Sequence, residues 1–173
     1  MKTVCICLLA GAATLAAQPF TSPAATASVT ISGTTVKVDY HAPSMHARKI
    51  FGGLVPYGKV WRAGANQATV LHTDADVTIG GLAVPKGDYS LYVLPEQGQW
   101  TLIVNKKTGQ WGINRDGSTT DDPAMDVGRV KMELAKGGPA ETFKISLTQT
   151  GANTGKLQME WENTVASVLF TVK

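Results

Sequence analysis

The sequence contains little cysteine, and both thiols lie near the start of the chain. Cys5 and Cys7 are the two cysteines among 173 residues. From residue 8 onwards the chain therefore has no thiol. This excludes disulfide bonds, zinc sites with sulfur ligands and cysteine nucleophiles from that part of the protein.

Charge is also scarce. Only 17% of the residues are charged, and the formal net charge is +3. The sequence has no block of lysine and arginine, so it gives no sign of a nucleic-acid partner. Hydrophobic residues make up 43% of the chain, which is too many for a disordered protein. The length fits one domain, which buries about two thirds of its unfolded surface.

The first apolar run predicts an export signal. A short basic start precedes an apolar run over residues 4–15. This length suits a signal peptide and is too short to span a bilayer, which takes about 20 residues. We predict a signal peptide over residues 1–17, cleaved after Ala16 or Ala17, with Ala25-Thr26-Ala27 as a later alternative. The predicted location is periplasmic or secreted, without membrane insertion after cleavage; an amphipathic first helix is the other interpretation.

Beyond residue 27, apolar residues alternate with period two and the runs stop at turn residues, a pattern typical of strands. Three hairpins are predicted, with turns at Ser32-Gly33, Gly80-Gly81 and Glu96-Gln97-Gly98. Residues 122–127 are the best short helix candidate. About ten short strands predict a single all-β domain over residues 26–173, an antiparallel β-sandwich of jelly-roll-like shape with one long irregular loop.

The irregular loop is predicted between Tyr40 and Val70, where the alternation fails. A long irregular segment in a small domain is uncommon, and when it is ordered it often carries function. The residues from Tyr40 to Thr73 include four cations and all three histidines but no carboxylate. This part of the chain therefore carries a net positive charge.

The same segment carries a family resemblance. The blocks that carry it are RKIFGGLVPYG (48–58), WRAGAN (61–66), PKGDYSL (85–91), WTLIVNK (100–106) and WENT (161–164). Together they resemble bacterial domain-of-unknown-function family 2911, a family of exported proteins without an assigned activity. The resemblance spans about residues 26 to 170, and it implies export but no mechanism.

Arg48 and Arg62 are the leading candidate ligand-binding residues. A guanidinium group can hold a carboxylate, phosphate or sulfate through two parallel hydrogen bonds. The alternative is a structural role, in which each arginine bonds to backbone carbonyls of the loop or pairs with Glu160 or Glu162.

Tyr57, Trp61 and Asn66 complete the candidate ligand-binding set. Trp61 and Tyr57 could form an apolar or stacking wall beside the arginines. Asn66 follows Gly64-Ala65, so it could equally be a turn residue whose side chain bonds to nearby backbone.

No metal site, cofactor or catalytic residue is predicted. The three histidines lack the spacing of a compact metal motif, so we expect surface or packing roles for them. The acidic residues between 116 and 126 do not follow the alternating order of a calcium loop, so we expect a solvated acidic loop. No serine lies in a nucleophile elbow. The residues concerned are His41, His46, His72, Asp116, Asp121, Asp122, Asp126, Ser44 and Ser90.

Three functions are compatible with these observations. The leading hypothesis is a non-catalytic module that binds a small anionic or polar ligand at Arg48 and Arg62. The second is an envelope enzyme of hydrolase or isomerase type that uses Arg62, Asn66 and a carboxylate such as Glu160 or Glu162. The third is a structural or partner-binding envelope domain.

Overall fold

Nine β-strands form the regular structure of residues 22–173, the part of the chain that this computed structural model describes. The predicted signal peptide lies outside the described residues. The prediction of an all-β protein is confirmed. The strands are β1 (Ala24–Ile31), β2 (Thr34–His41), β3 (Thr69–Thr73), β4 (Val77–Ile79), β5 (Leu82–Val84), β6 (Gly87–Glu96), β7 (Gln99–Asn105), β8 (Asp126–Gln149) and β9 (Thr154–Val172).

The three predicted hairpins are confirmed as β1–β2, β4–β5 and β6–β7. Their turns contain the glycines that the sequence suggested, and these adopt positive φ. In the first hairpin, Ser32 and Gly33 have φ values of 50° and 83°. Two consecutive residues in this region match the twist of a two-residue hairpin, which explains why a short Ser-Gly turn is sufficient there.

All nine strands belong to one antiparallel sheet with the order β1-β2-β3-β6-β7-β8-β9-β4-β5. The division into the two separate sheets of a jelly-roll sandwich is not confirmed. The reason lies in β8, which pairs with β7 through its first part and with β9 through its second part. One long strand thus joins what would otherwise be two sheets.

The same long strands explain why there are nine strands and not about ten. The alternating runs around Val130 and Phe143 both lie on β8, although Gly137-Gly138-Pro139 separates them. The pairing of β8 with β9 is irregular there, with register shifts on either side of Ala140. Proline has no N–H to donate to a ladder. The strand nevertheless continues through this irregular site, although the sequence there has the composition of a turn.

Strands from both ends of the sheet contribute to one core. Tyr40 on β2 meets Phe143 on β8 edge to face, with ring centroids 5.7 Å apart. The Tyr40 hydroxyl donates a hydrogen bond of 3.5 Å to the carbonyl of Ile145. The core continues through Leu157, Met159 and Trp161 of β9, all nearly inaccessible to solvent. The sheet thus bends around its own apolar face.

β6 and β7 are covered on both faces. Leu91 and Val93 of β6 belong to the main core, whereas Tyr92 on the opposite face packs with Ala68 and Ile103 in a smaller cluster. A strand that is buried on both sides loses its polar alternation. This second face lies under the loops on which the candidate site depends.

Two further features complete the fold. Of the helix candidate over residues 122–127, Pro123–Met125 form one turn of 3₁₀-helix, capped by the side chain of Asp122, whereas Asp126 already begins β8. Across residues 22–173, no helix has both the length and the apolar character needed to span a bilayer.

Candidate functional site

The irregular loop between β2 and β3 is anchored at both ends by strands distant in sequence. Met45 donates its backbone N–H to the carbonyl of Glu141 at 2.8 Å, and Phe143 donates to the carbonyl of Pro43 at 2.8 Å. Further along, Trp61 and Val93 exchange two backbone hydrogen bonds of 2.8 Å. The loop is therefore ordered by β6 and β8 without being a strand itself.

The middle of the loop is held by a carboxylate. Glu162 on β9 accepts hydrogen bonds from the backbone N–H groups of Ile50 and Phe51, at 3.5 and 3.3 Å. The side chains of Ile50 and Phe51 are buried in the main core. Glu162 adopts a positive φ of 56°, a conformation that is costly for a residue other than glycine, asparagine or aspartate. This conformation lies where β8 and β9 pair irregularly.

The loop forms part of the wall of a cavity of about 310 Å³, which we call the arginine cavity. Its walls include both candidate arginines, Arg48 and Arg62, together with His46, Trp61 and Trp161. Within residues 22–173, no aspartate or glutamate lines it. The structure thus brings the two arginines to the wall of one cavity.

Arg62 is partly buried, and its charge has no ion-pair partner among residues 22–173. Its Nε is buried and has no hydrogen-bond partner among the described residues. Its guanidinium forms no ion pair within residues 22–173. Burial lowers the pKa of Arg62, whereas the nearby Tyr92 hydroxyl raises it. Because a guanidinium stays charged at neutral pH, this is a cation partly removed from water without compensation.

Arg48 is fixed by its own loop. Its Nε donates to the carbonyl of Met45 and its Nη2 donates to the carbonyl of Ser44, both at 2.8 Å. The structural role considered for this arginine is thus present in the geometry. The same contacts orient the guanidinium at the cavity wall, so a structural role and a charge presented to the cavity coexist.

Trp61 belongs to an aromatic group at the inner wall of the cavity. Its rings stack on Trp161, with centroids 5.9 Å apart and planes 22° apart, and they meet Phe143 edge to face at 5.1 Å. The indole Nε1 donates to the carbonyl of Gly64 at 3.0 Å. The tryptophan is therefore rigid and offers the cavity a fixed apolar surface.

Tyr57 and Asn66 do not line the arginine cavity. Tyr57 is exposed and lies over Gly52. Asn66 has a positive φ of 56°, and its Nδ2 donates to the carbonyl of Ser22 at 3.3 Å. Ser22 does line the cavity, so Asn66 acts there through the backbone that it holds. Asn66 thus has the positive φ of a turn residue, but its side chain bonds to the backbone of the distant Ser22 and not to nearby backbone.

A protein-family model matches most of the chain. The match is to "Protein of unknown function (DUF2911)" and extends over residues 22–170. The chain belongs to the DUF2911 family. No curated protein and no solved structure matches this chain.

A second polar group in this DUF2911 protein lies behind Arg62, on the outer face of β6. The Tyr92 hydroxyl accepts a hydrogen bond of 2.8 Å from Nε2 of Gln110, which also donates to the carbonyl of Lys107. The Oε1 of Gln110 is buried without a partner among the described residues. Burial raises the pKa of Tyr92, and the Arg62 charge opposes this shift.

The sequence gives no signal for Gln110 or for Ile113, which also lines the cavity. Both residues come from the loop between β7 and β8. Ile113 is an apolar residue with 37% of its surface exposed. Trp111 in the same loop is also exposed.

The histidines and acidic residues of the DUF2911 chain do not assemble into a metal site. Across residues 22–173, no group of three or more histidine, aspartate and glutamate side chains is arranged to hold a metal ion. His72 lies between Asp39 and Asp88, at 3.0 and 2.7 Å. Asp121 and Asp126 pair with Arg129, and both accept hydrogen bonds from Asn105.

The carboxylates named for the enzyme alternative are engaged elsewhere. Glu160 accepts a hydrogen bond of 2.6 Å from Gln158, and Glu162 holds the loop backbone. Neither lines the arginine cavity. The enzyme alternative and the structural-domain alternative stay predictions.

Proposed function

We propose that this DUF2911 protein is a binding module whose arginine cavity takes a small ligand with an anionic group. The observation that carries the proposal is Arg62, a partly buried cation with no ion-pair partner within residues 22–173. Removing one partner from a buried ion pair is strongly destabilising, because it leaves an uncompensated charge. An anion in the cavity supplies the missing counter-charge, so the bound state is favoured.

The other walls suit the same ligand. Arg48 adds a second fixed guanidinium, and planar guanidinium groups match the oxygens of carboxylate, phosphate and sulfate. Trp61 offers a rigid apolar surface to the rest of the molecule. A volume of about 310 Å³ falls at the small end of ligand sites, which range over about 300–1,000 Å³. These features favour a small ligand with one anionic group over a large polymer.

Thermal unfolding with added anions tests the proposal. Acetate, phosphate, sulfate and citrate are titrated against the protein at constant ionic strength, with chloride as the reference. A ligand that binds only the folded state raises the midpoint in proportion to the logarithm of its concentration at saturation. We expect at least one of these anions to raise the midpoint of the wild type, and none to raise that of Arg62→Ala.

Lys49→Ala is the matched control. Lys49 is an exposed cation in the same loop, and it does not line the arginine cavity. It should keep the anion response of the wild type, while Arg62→Lys should retain a weakened response because one ammonium cannot form the paired hydrogen bonds. The proposal is wrong if none of these anions stabilises the wild type, or if Arg62→Ala responds as the wild type does.

We also infer that the protein is exported to the periplasm or the medium by its signal peptide over residues 1–17. The support is the apolar run of signal-peptide length after a basic start. Mass spectrometry of the protein from cell fractions tests this inference. Expected is a mature N-terminus after Ala16, Ala17 or Ala27 in the exported fraction; an intact Met1 in the cytoplasmic fraction alone would contradict it.

A further inference from the structure

A wide groove continues from the arginine cavity across the surface. It has a volume of about 650 Å³, and we call it the Ile113 groove. Four apolar residues line both the cavity and the groove: Leu54, Val55, Trp61 and Ile113. The passage from the two arginines into the groove is therefore apolar.

The apolar residues at this junction are unusually exposed. Leu54 has 48% and Ile113 has 37% of its surface accessible to solvent. They come from two different loops, one between β2 and β3 and the other between β7 and β8, and they meet at the same groove. Exposed apolar side chains that converge in this way mark a surface whose burial lowers the free energy.

The far end of the groove is polar and carries no net charge. Lys59 and Asp116 have opposite charges there. The Asp116 carboxylate accepts hydrogen bonds from the backbone N–H and the hydroxyl of Ser118, at 2.9 and 2.7 Å. Charge selection therefore belongs to the arginine cavity, and the groove contributes apolar contact.

We propose that the ligand is a soluble, single-chain amphipathic anion. Its charged head lies in the arginine cavity against Arg62, and its hydrocarbon chain lies along Leu54 and Ile113 in the Ile113 groove. This inference rests on the proposed function, and it specifies the class of ligand. A hydrocarbon chain is the occupant that covers both exposed side chains while the anion neutralises Arg62.

A homologous series of carboxylates measures the two parts separately. Binding of acetate, butanoate, hexanoate, octanoate and decanoate is followed by calorimetry below their micelle concentrations. Affinity should rise by about fourfold for each methylene that the groove buries, and then level off when the chain reaches the groove's end. Octan-1-ol and octylammonium, which lack the anion, should bind at least tenfold more weakly than octanoate.

Two variants test where the hydrocarbon chain lies, through the ratio of octanoate to acetate affinity. Leu54→Ser and Ile113→Ser should each lower the octanoate affinity about tenfold, and each should change the acetate affinity much less, because acetate has no chain to lie along these side chains. Leu169→Ser is the matched control, because Leu169 is an exposed leucine on β9 that lines neither the cavity nor the groove. Its chain-length dependence should equal that of the wild type.

The outcomes separate this inference from the proposed function. If acetate binds through Arg62 and longer chains add nothing, the anion site stands and the amphipathic ligand is wrong. If octanoate binds equally well to wild type, Leu54→Ser and Ile113→Ser, the chain lies elsewhere and the inference is also wrong. Sedimentation with phosphatidylglycerol vesicles, combined with no binding of soluble octanoate, would overturn it in favour of a lipid surface.

Discussion

Gly112 lies directly against the side chain of Arg62. A Cβ atom placed on Gly112 would come within 2.6 Å of Cβ and 2.7 Å of Cδ of Arg62. Gly112 also has a positive φ of 89°. The glycine is therefore required twice, once for its backbone conformation and once for the space that the arginine fills.

Substitution of Gly112 should disturb both stability and binding. We expect Gly112→Ala to lower the free energy of unfolding by about 2–4 kcal/mol, since overpacking adds to the backbone penalty. It should also weaken anion binding, because Arg62 must shift. Gly109→Ala is the control, with a φ of 82° and nothing within 4 Å of the added Cβ. Urea unfolding should show a clearly smaller loss for Gly109→Ala; equal losses would contradict the role of contact with Arg62.

In the absence of ligand, the partly buried charge of Arg62 should lower the free energy of unfolding. Methionine keeps much of the apolar stem of the side chain and removes the unpaired charge. We expect Arg62→Met to unfold at the same free energy as the wild type or about 1 kcal/mol higher, as is often found when apolar residues replace buried charges. Anion binding should be lost in the same variant. A loss of more than about 1 kcal/mol of stability would instead indicate a structural arginine.

Glu162 should contribute more stability than its neighbour Glu160. The Glu162 carboxylate bonds to two backbone N–H groups of the loop, and the Glu160 carboxylate bonds to the side chain of Gln158. Removing an acceptor from partly buried donors costs about 1–3 kcal/mol. We expect Glu162→Ala to lose stability in this range by urea unfolding, and Glu160→Ala to lose less than about 0.5 kcal/mol.

Ionisation of the Asp39 carboxyl group makes the stability of the folded protein depend on pH in the acid range. Burial raises its pKa, but hydrogen bonds from Lys37 and Thr26 and the charges of Lys37 and His72 outweigh this, so the pKa lies below the ordinary 3.8. The folded protein thus binds fewer protons than the unfolded chain, and the contribution is present above pH 3.8 and lost as pH falls through the folded-state pKa.

The variant Asp39→Asn tests this sign. It should lower the thermal midpoint at pH 7 and by a smaller amount at pH 2.5. The effect should be modest, at most about 1 kcal/mol, because the pairs are exposed and screened by solvent. An equal loss of stability at both pH values would show that the charge of Asp39 contributes nothing.

The alternation of apolar residues was enough to predict most strands. The β1–β2 hairpin follows from period two and a Ser-Gly turn, because both signals are local. The continuity of β8 could not be predicted, since Gly137-Gly138-Pro139 has the composition of a turn and only pairing with β9 carries the strand past it. The number of strands and the single sheet both depend on that feature.

For the candidate site, sequence reasoning located the charged segment but not its geometry. Arg48 and Arg62 lie in one carboxylate-free stretch, and the structure brings both to one cavity. Ile113 could not be predicted, because it reaches the same cavity from a loop distant in sequence. Tyr57 shows the converse limit, since a residue near the arginines in sequence lies outside the cavity.

The anchors of the loop have a kinetic consequence. Pro43, Met45, Ile50 and Phe51 are held by residues of β8 and β9, which are made much later in the chain. Contacts that close such long loops form slowly, because the chain entropy must be lost before the contact is gained. In refolding, we expect the far-ultraviolet signal of the local hairpins β1–β2, β4–β5 and β6–β7 to recover before the fluorescence of the Trp61–Trp161 pair. The protein would thus form its local hairpins before it acquires a competent cavity.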